Sequence, residues 1–199
     1  SRVTAHHGGN DAGNVRLYFT DHAVHGDYAV GQTGESANRI VSYVPVLQQA
    51  LRDLAAWVED GVAPPASSQY RIEQGQVLVP ESADARLGLQ PVVTLTANGG
   101  ERTQVRVGET VRLEGMIAAP PGAGTIIAAE WDLLGNDDFA SSSPVVPGNS
   151  TVQVMMDHRF AVPGTYFVAL RGVSQRDGDL GTPYARVANL GRVRVVVSD

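Results

Sequence analysis

The 199-residue chain contains no cysteine, which excludes disulfides and thiolate metal centres and leaves the redox compartment open. It contains no lysine either: all 15 of its basic residues are arginine. With abundant Ala, Gly, Val, Asp and Pro, that bias is the signature of a GC-rich genome and points to a bacterial source. No apolar run approaches the roughly 20 residues that span a bilayer. Nor do the opening residues show the basic-then-apolar pattern of a secretory leader. They are polar, carry GGND and GN, and read as a loop entered from upstream. There is no run of five or more like charges, and the net charge of −6 argues against nucleic acid as a main partner. Aromatic residues are scarce at 6%, which weighs against a row of exposed rings binding carbohydrate.

What is present is the composition of a folded protein, 43% hydrophobic and 18% charged. Val15–Thr20 (VRLYFT) alternates apolar and polar residues and predicts a strand bounded by Gly13-Asn14 and Asp21. A loop follows, and from Ala37 to Asp60 the spacing turns helical, with Val46, Leu47, Ala50, Leu51, Leu54, Ala55 and Val58 recurring at threes and fours. Pro45 kinks this helix or marks its true first turn, Gly61 stops it, and Pro64-Pro65 bars continuation. Residues 67–90 read as a surface connector with short extended pieces near Tyr70–Ile72 and Gln76–Val79. From Pro91 the period changes to two. Seven strand-like runs (VVTLTA, TQVRV, TVRLEGMI, IIAAEWDL, TVQVMMDHRF, GTYFVALRGV and RVRVVV), separated by Gly-, Asn- and Asp-rich turns, predict an antiparallel β-sandwich over 91–199. The chain is thus expected to be mainly β, with residues 1–66 forming a strand–loop–helix piece too small to fold alone.

Several motifs carry chemistry only in a particular context. Gly34-Glu35-Ser36-Ala37-Asn38 has the outline of a nucleophile elbow, but no buried strand precedes it, and Ser36 reads as a helix N-cap. His6-His7, or His22 and His25 with Asp27, could gather a divalent metal. Asp137-Asp138 and Asp177-x-Asp179 could offer oxygen to calcium, yet neither follows a full calcium-loop spacing, and aspartates beside glycine ordinarily make turns. No metal or cofactor is therefore assigned. His158 reads as a structural residue at a strand end.

Two resemblances organise the rest. The run VGETVRL (107–113), then AEWD (129–132), then HRF (158–160) with PGTY (163–166), resembles the polycystic-kidney-disease-type (PKD) module, an immunoglobulin-like sandwich common in bacterial secreted hydrolases. The longer turn LLGNDD (133–138) departs from that family's compact Gly-Asp-Gly form. The resemblance implies a core role for Trp131, and a phenol at Tyr166 that bonds a nearby loop. Upstream, VRLYFTDHAVHGD (15–27), QQALRDLAAWVEDGVAPPASSQY (48–70) and the following GQV-x-VP stretch resemble the C-terminal end of esterase-like α/β-hydrolases.

That second resemblance implies a last sheet strand, a loop carrying the catalytic histidine, and a last helix. A serine hydroxyl becomes nucleophilic only when an imidazole accepts its proton and an acid holds the tautomer, and this fold orders them nucleophile, acid, histidine. The resemblance therefore makes His25, followed by Gly26, the catalytic histidine, with His22 as the alternative. Asp21 and Asp27 become local orienting carboxylates, and the nucleophile and acid lie upstream. It implies a bacterial serine hydrolase, secreted or periplasmic, acting on a small-molecule or polymeric ester. The alternative is a non-catalytic sandwich contacting a polymer or protein partner, with residues 1–66 as an accessory. Packing separates the two. A hydrolase fragment leaves Val15, Leu17, Phe19 and one face of the helix bare, whereas an accessory buries them on the sandwich.

Overall fold

The protein is described by a computed structural model that covers residue 6, residues 13–26 and residues 38–199. Its elements are α1 (Val44–Asp60), β1 (Arg71–Glu73), β2 (Gln76–Leu78), α2 (Ala83–Arg86), β3 (Val92–Ala97), β4 (Arg102–Arg106), β5 (Thr110–Ala118), β6 (Thr125–Asp132), β7 (Ser141–Ser143), β8 (Thr151–Arg159), β9 (Gly164–Gln175) and β10 (Val187–Ser198). The fold is mainly β. Sheets of order β3-β5-β8 and β4-β10-β9-β6-β7 form a sandwich, antiparallel throughout except where β4 runs parallel to β10, and β1-β2 is a separate hairpin.

All seven expected strand runs are strands, and the cause is visible in β5. Its residues alternate exposed and buried along nearly its whole length, so Val111, Leu113 and Ile117 enter the core while Arg112, Glu114 and Met116 face water. Gly115 occupies the remaining inward position because Leu170 fills the space a Cβ would need. Trp131 is fully buried at the centre of this core, and its indole N–H donates to Ser143 Oγ at 2.9 Å. The Tyr166 phenol donates to the Val162 carbonyl at 2.8 Å, tying the turn before β9 to that strand's start.

The helix α1 begins at Val44, later than the spacing predicts, because Pro45 falls in its first turn, where its missing N–H is not needed. Its N-cap is Tyr43; Ser36 lies outside the described residues. Gly61 ends it in the left-handed conformation, its N–H donating to the Ala56 carbonyl.

Val15–Thr20, expected as a sheet strand, joins no sheet. It is extended beside the connector, where serine side chains take the place of ladder carbonyls. Leu17 N–H donates to Ser67 Oγ and Phe19 N–H to Ser68 Oγ, each at 3.1 Å, while Ser68 N–H donates to the Leu17 carbonyl at 2.9 Å. The alternation does not translate into one wet and one dry face: Val15, Tyr18 and Phe19 are all half-buried, Phe19 with its ring 4.6 Å from that of Tyr70. Tyr18 joins Val46, Ala50, Leu89 and Val187 in a second small apolar cluster, and Leu17 is exposed.

Candidate functional site

Residues 20–26 leave the extended segment and pass over the end of β10. Asp21 and His22 are fixed there by side chains from the connector and the sandwich. The Gln90 amide meets the Asp21 backbone on both sides, Oε1 accepting the Asp21 N–H at 2.7 Å and Nε2 donating to the Asp21 carbonyl at 3.0 Å. Nε2 also donates to the Ala188 carbonyl of β10 at 3.0 Å, so every polar atom of this buried amide is engaged. Beside it, buried Asn189 of β10 donates from Nδ2 to the Pro91 carbonyl at 2.7 Å and accepts the Leu190 N–H at Oδ1 at 2.8 Å. Those two bonds set the amide's orientation, so Oδ1 faces His22 Nδ1 at 2.8 Å and Nδ1 is the donor. His22 itself lies in the left-handed backbone region at φ 59°, and its carbonyl accepts the Val41 N–H at 3.0 Å.

The Asp21 carboxylate is held by Arg86 at 3.4 Å, while Arg86 Nε donates to the Pro80 carbonyl at 2.7 Å. Burial pushes the Arg86 guanidinium below its ordinary range, and the neighbouring Asp21 charge works against that shift. Asp21 Oδ1 lies 3.9 Å from His22 Nδ1, outside hydrogen-bond distance, and accepts no orienting bond from the imidazole. Asp21 Oδ1 instead accepts its neighbour's backbone, the His22 N–H, at 3.0 Å.

The two candidate histidines are therefore placed differently. His22 is clamped through Nδ1 to a neutral amide, and the Asp21 carboxylate lies 3.9 Å from the same nitrogen. His25 is exposed, three residues farther along the loop, and no hydrogen bond to its ring is found among the described residues. Asp27, the other candidate orienting carboxylate, lies outside the described residues, as do His7, Glu35 and Ser36. Among the described residues no three His, Asp or Glu side chains gather as a metal site. Of the four aspartates weighed as calcium ligands, two bond their own turns: Asp138 Oδ1 accepts the Ala140 N–H at 3.2 Å, and Asp179 Oδ1 accepts the Gly181 N–H at 2.7 Å.

The helix α1 bears on the site through what it covers and what it leaves open. Its inward face is largely polar. Buried Asp53 accepts from Arg176 Nη2 and from Gln49 Nε2, each at 2.8 Å, and Gln48 Oε1 accepts the Ala185 N–H at 2.8 Å. Val46 and Ala50 add apolar contact on the sandwich side. The outward face carries the larger apolar residues, with Leu47 50%, Leu51 58%, Leu54 51% and Val58 76% exposed. Spaced four, three and four apart, they form one stripe. The packing expectation is thus divided. Part of the N-terminal piece is buried on the sandwich, and the leucine stripe is bare.

Gln90, Asn189 and Arg86 were not among the residues the sequence singled out. Each is an ordinary polar residue in its own segment, and nothing local marks a partner 69 or 167 positions away. No model of a known protein family matches the chain, and no curated protein matches it.

Proposed function

We propose that this chain is the C-terminal portion of a bacterial, secreted or periplasmic serine hydrolase that cleaves an ester or related acyl bond. In this reading His25 is the general base. It takes the serine proton as the hydroxyl attacks the carbonyl carbon, then returns that proton to the leaving alkoxide as the tetrahedral adduct collapses to the acyl-enzyme. Water repeats the sequence with His25 again as base, releasing the acid. Serine and acid belong to the region preceding this chain, together with the sheet against which α1 would lie. The sandwich is read as the immunoglobulin-like PKD type, carried at the end of the enzyme.

The observation that carries the reading is the orientation of α1. A surface helix that ends its packing on the sandwich turns its leucines inward and its charges out. This helix instead buries Gln49 and Asp53 beside Val46, and exposes Leu47, Leu51, Leu54 and Val58. That stripe supports an apolar partner beyond the sandwich, and in the resemblance the partner is the hydrolase core. His25 is exposed in the stretch that follows Val15–Thr20, which leaves its ring accessible to such a core.

The test is ester hydrolysis by the longest natural form of the protein, compared with its His25→Ala variant. Activity that falls at least a thousandfold supports the reading. A natural form without hydrolytic activity, or a His25→Ala variant as active as its parent, refutes it in favour of a binding or structural module.

A further inference from the structure

We propose that the sandwich positions the catalytic loop: Asn189 and Gln90, acting through His22 and Asp21, are positioning residues for His25. This rests on the hydrolase reading above and assigns the sandwich a part in it.

Docking alone does not require this arrangement. The N-terminal piece is already attached by the cluster of Tyr18, Val46, Leu89 and Val187 and by the buried Asp53–Arg176 pair. At residues 21–22 the contact is of another kind. Two fully buried amides direct their hydrogen bonds at two consecutive residues, and Gln90 and Asn189 are each also tied to backbone that does not move with the loop, at Ala188 and Pro91. Satisfied buried polar networks of this sort fix geometry more than they add stability, because their bonds replace bonds to water. The clamp also holds His22 in a left-handed conformation that costs a non-glycine residue about 1 kcal/mol, a strain retained only where surroundings overdetermine it. The bond from Val41 N–H to the His22 carbonyl then joins the same point to the segment leading into α1.

Position matters most for a general base. Its nitrogen must meet a serine hydroxyl within a few tenths of an ångström, and a misplacement of about 1 Å costs on the order of a hundredfold in rate. His25 lies three residues beyond the clamped pair, close enough for the direction of the chain at His22 to set where its ring is delivered. His22 is then the lever and His25 the base.

The deciding experiment uses the longest natural form and compares His22→Ala, His22→Asn and His25→Ala, measuring kcat, KM and melting temperature. An asparagine NH2 sits on Cγ as imidazole Nδ1 does, so it can donate to Asn189 Oδ1, but it cannot serve as a base. Removing the His22 ring leaves Asn189 Oδ1 paired with the Leu190 N–H, so folding is not at stake. The expected pattern is a fall in kcat of roughly 10- to 100-fold for His22→Ala. KM and melting temperature stay near those of the parent, and His22→Asn recovers most of the rate. Full activity in His22→Ala overturns the inference while the hydrolase reading stands. A His22→Asn variant as inactive as His25→Ala also overturns it, since His22 would then be a base and not a lever. Absence of hydrolysis in the parent, or no effect of His25→Ala, removes the reading and the inference together.

Discussion

Asp132 is the side chain whose replacement should damage the sandwich most without touching its apolar core. Its carboxylate is fully buried at the end of β6. Oδ1 accepts the N–H groups of Leu134, Gly135 and Asn136 at 3.2, 2.8 and 3.2 Å, and Oδ2 accepts the Asp137 N–H at 2.7 Å and Asn38 Nδ2 at 3.0 Å. The turn 133–138 is thus wound around one carboxylate. Asp132→Asn keeps the shape but turns one oxygen into a donor. With the amide oriented to keep the three bonds at Oδ1, its NH2 faces the Asp137 N–H and the Asn38 amide, donor against donor. The flipped orientation loses three bonds instead of two. Each stranded buried donor costs about 1–3 kcal/mol, so the better orientation, with two, should lose about 2–6 kcal/mol. At a urea slope near 2 kcal/mol/M, the midpoint should fall by roughly 1–3 M. Asp132→Ala strands all five donors and should fall further. Urea unfolding followed by far-UV dichroism and by fluorescence of the adjacent Trp131 reads both variants. An Asp132→Asn protein within about 0.5 kcal/mol of wild type would show that this carboxylate does not organise the turn.

Three further outcomes follow from the same geometry. Gly115→Ala places a Cβ 2.2 Å from Leu170 Cδ2 and 3.2 Å from Val154 Cγ2, and should cost about 1–3 kcal/mol by urea unfolding. Asp53→Ala leaves Arg176 and Gln49 without their shared acceptor, and should cost about 1–3 kcal/mol; faster amide exchange across 44–60, with β9 and β10 unchanged, would place the loss in α1. Burial against Phe160 lowers the His158 pKa, so the folded state holds that proton less tightly than the unfolded chain does. Its stability contribution is therefore complete above about pH 6.5, falls as pH drops through 6.5 towards the lowered value, and then levels off. His158→Phe should remove that slope from a plot of stability against pH.

The sandwich was legible because strands such as β5 have one wet face and one dry face, and a period of two in the sequence is the direct trace of that condition, while the strands buried on both faces, such as β9, read as apolar runs between turn residues. Gly61 and Pro45 marked the ends of α1 for equally local reasons. Three features could not be read in the same way. The alternation in VRLYFT is genuine, but it does not reveal that Ser67 and Ser68 would take the place of a neighbouring strand. The burial of Asp53 depends on Arg176, 123 residues away, and a charged residue in a helix ordinarily reads as exposed. Gln90 and Asn189 hold the histidine loop through amide contacts that leave no pattern in either segment. What is local in cause was visible, and what is made by contact between distant segments was not.

The same distinction explains how α1 came to support a functional reading. Threes-and-fours spacing identifies apolar residues on a helix but not how many faces they occupy or what covers each. Val46 and Ala50 belong to one face, closed by Leu89 and Val187; Leu47, Leu51, Leu54 and Val58 belong to another, which the sandwich does not reach. A helix needing only the sandwich would gain stability by exchanging these faces, placing leucine where Gln49 and Asp53 are and removing an ion pair from the interior, a replacement that is often neutral or favourable. Retaining the polar face inward keeps the leucines available for a second surface. The polar inward contact fixes the helix in place, and the apolar outward stripe stays exposed; in the hydrolase reading proposed above, that stripe is what packs on the core His25 serves.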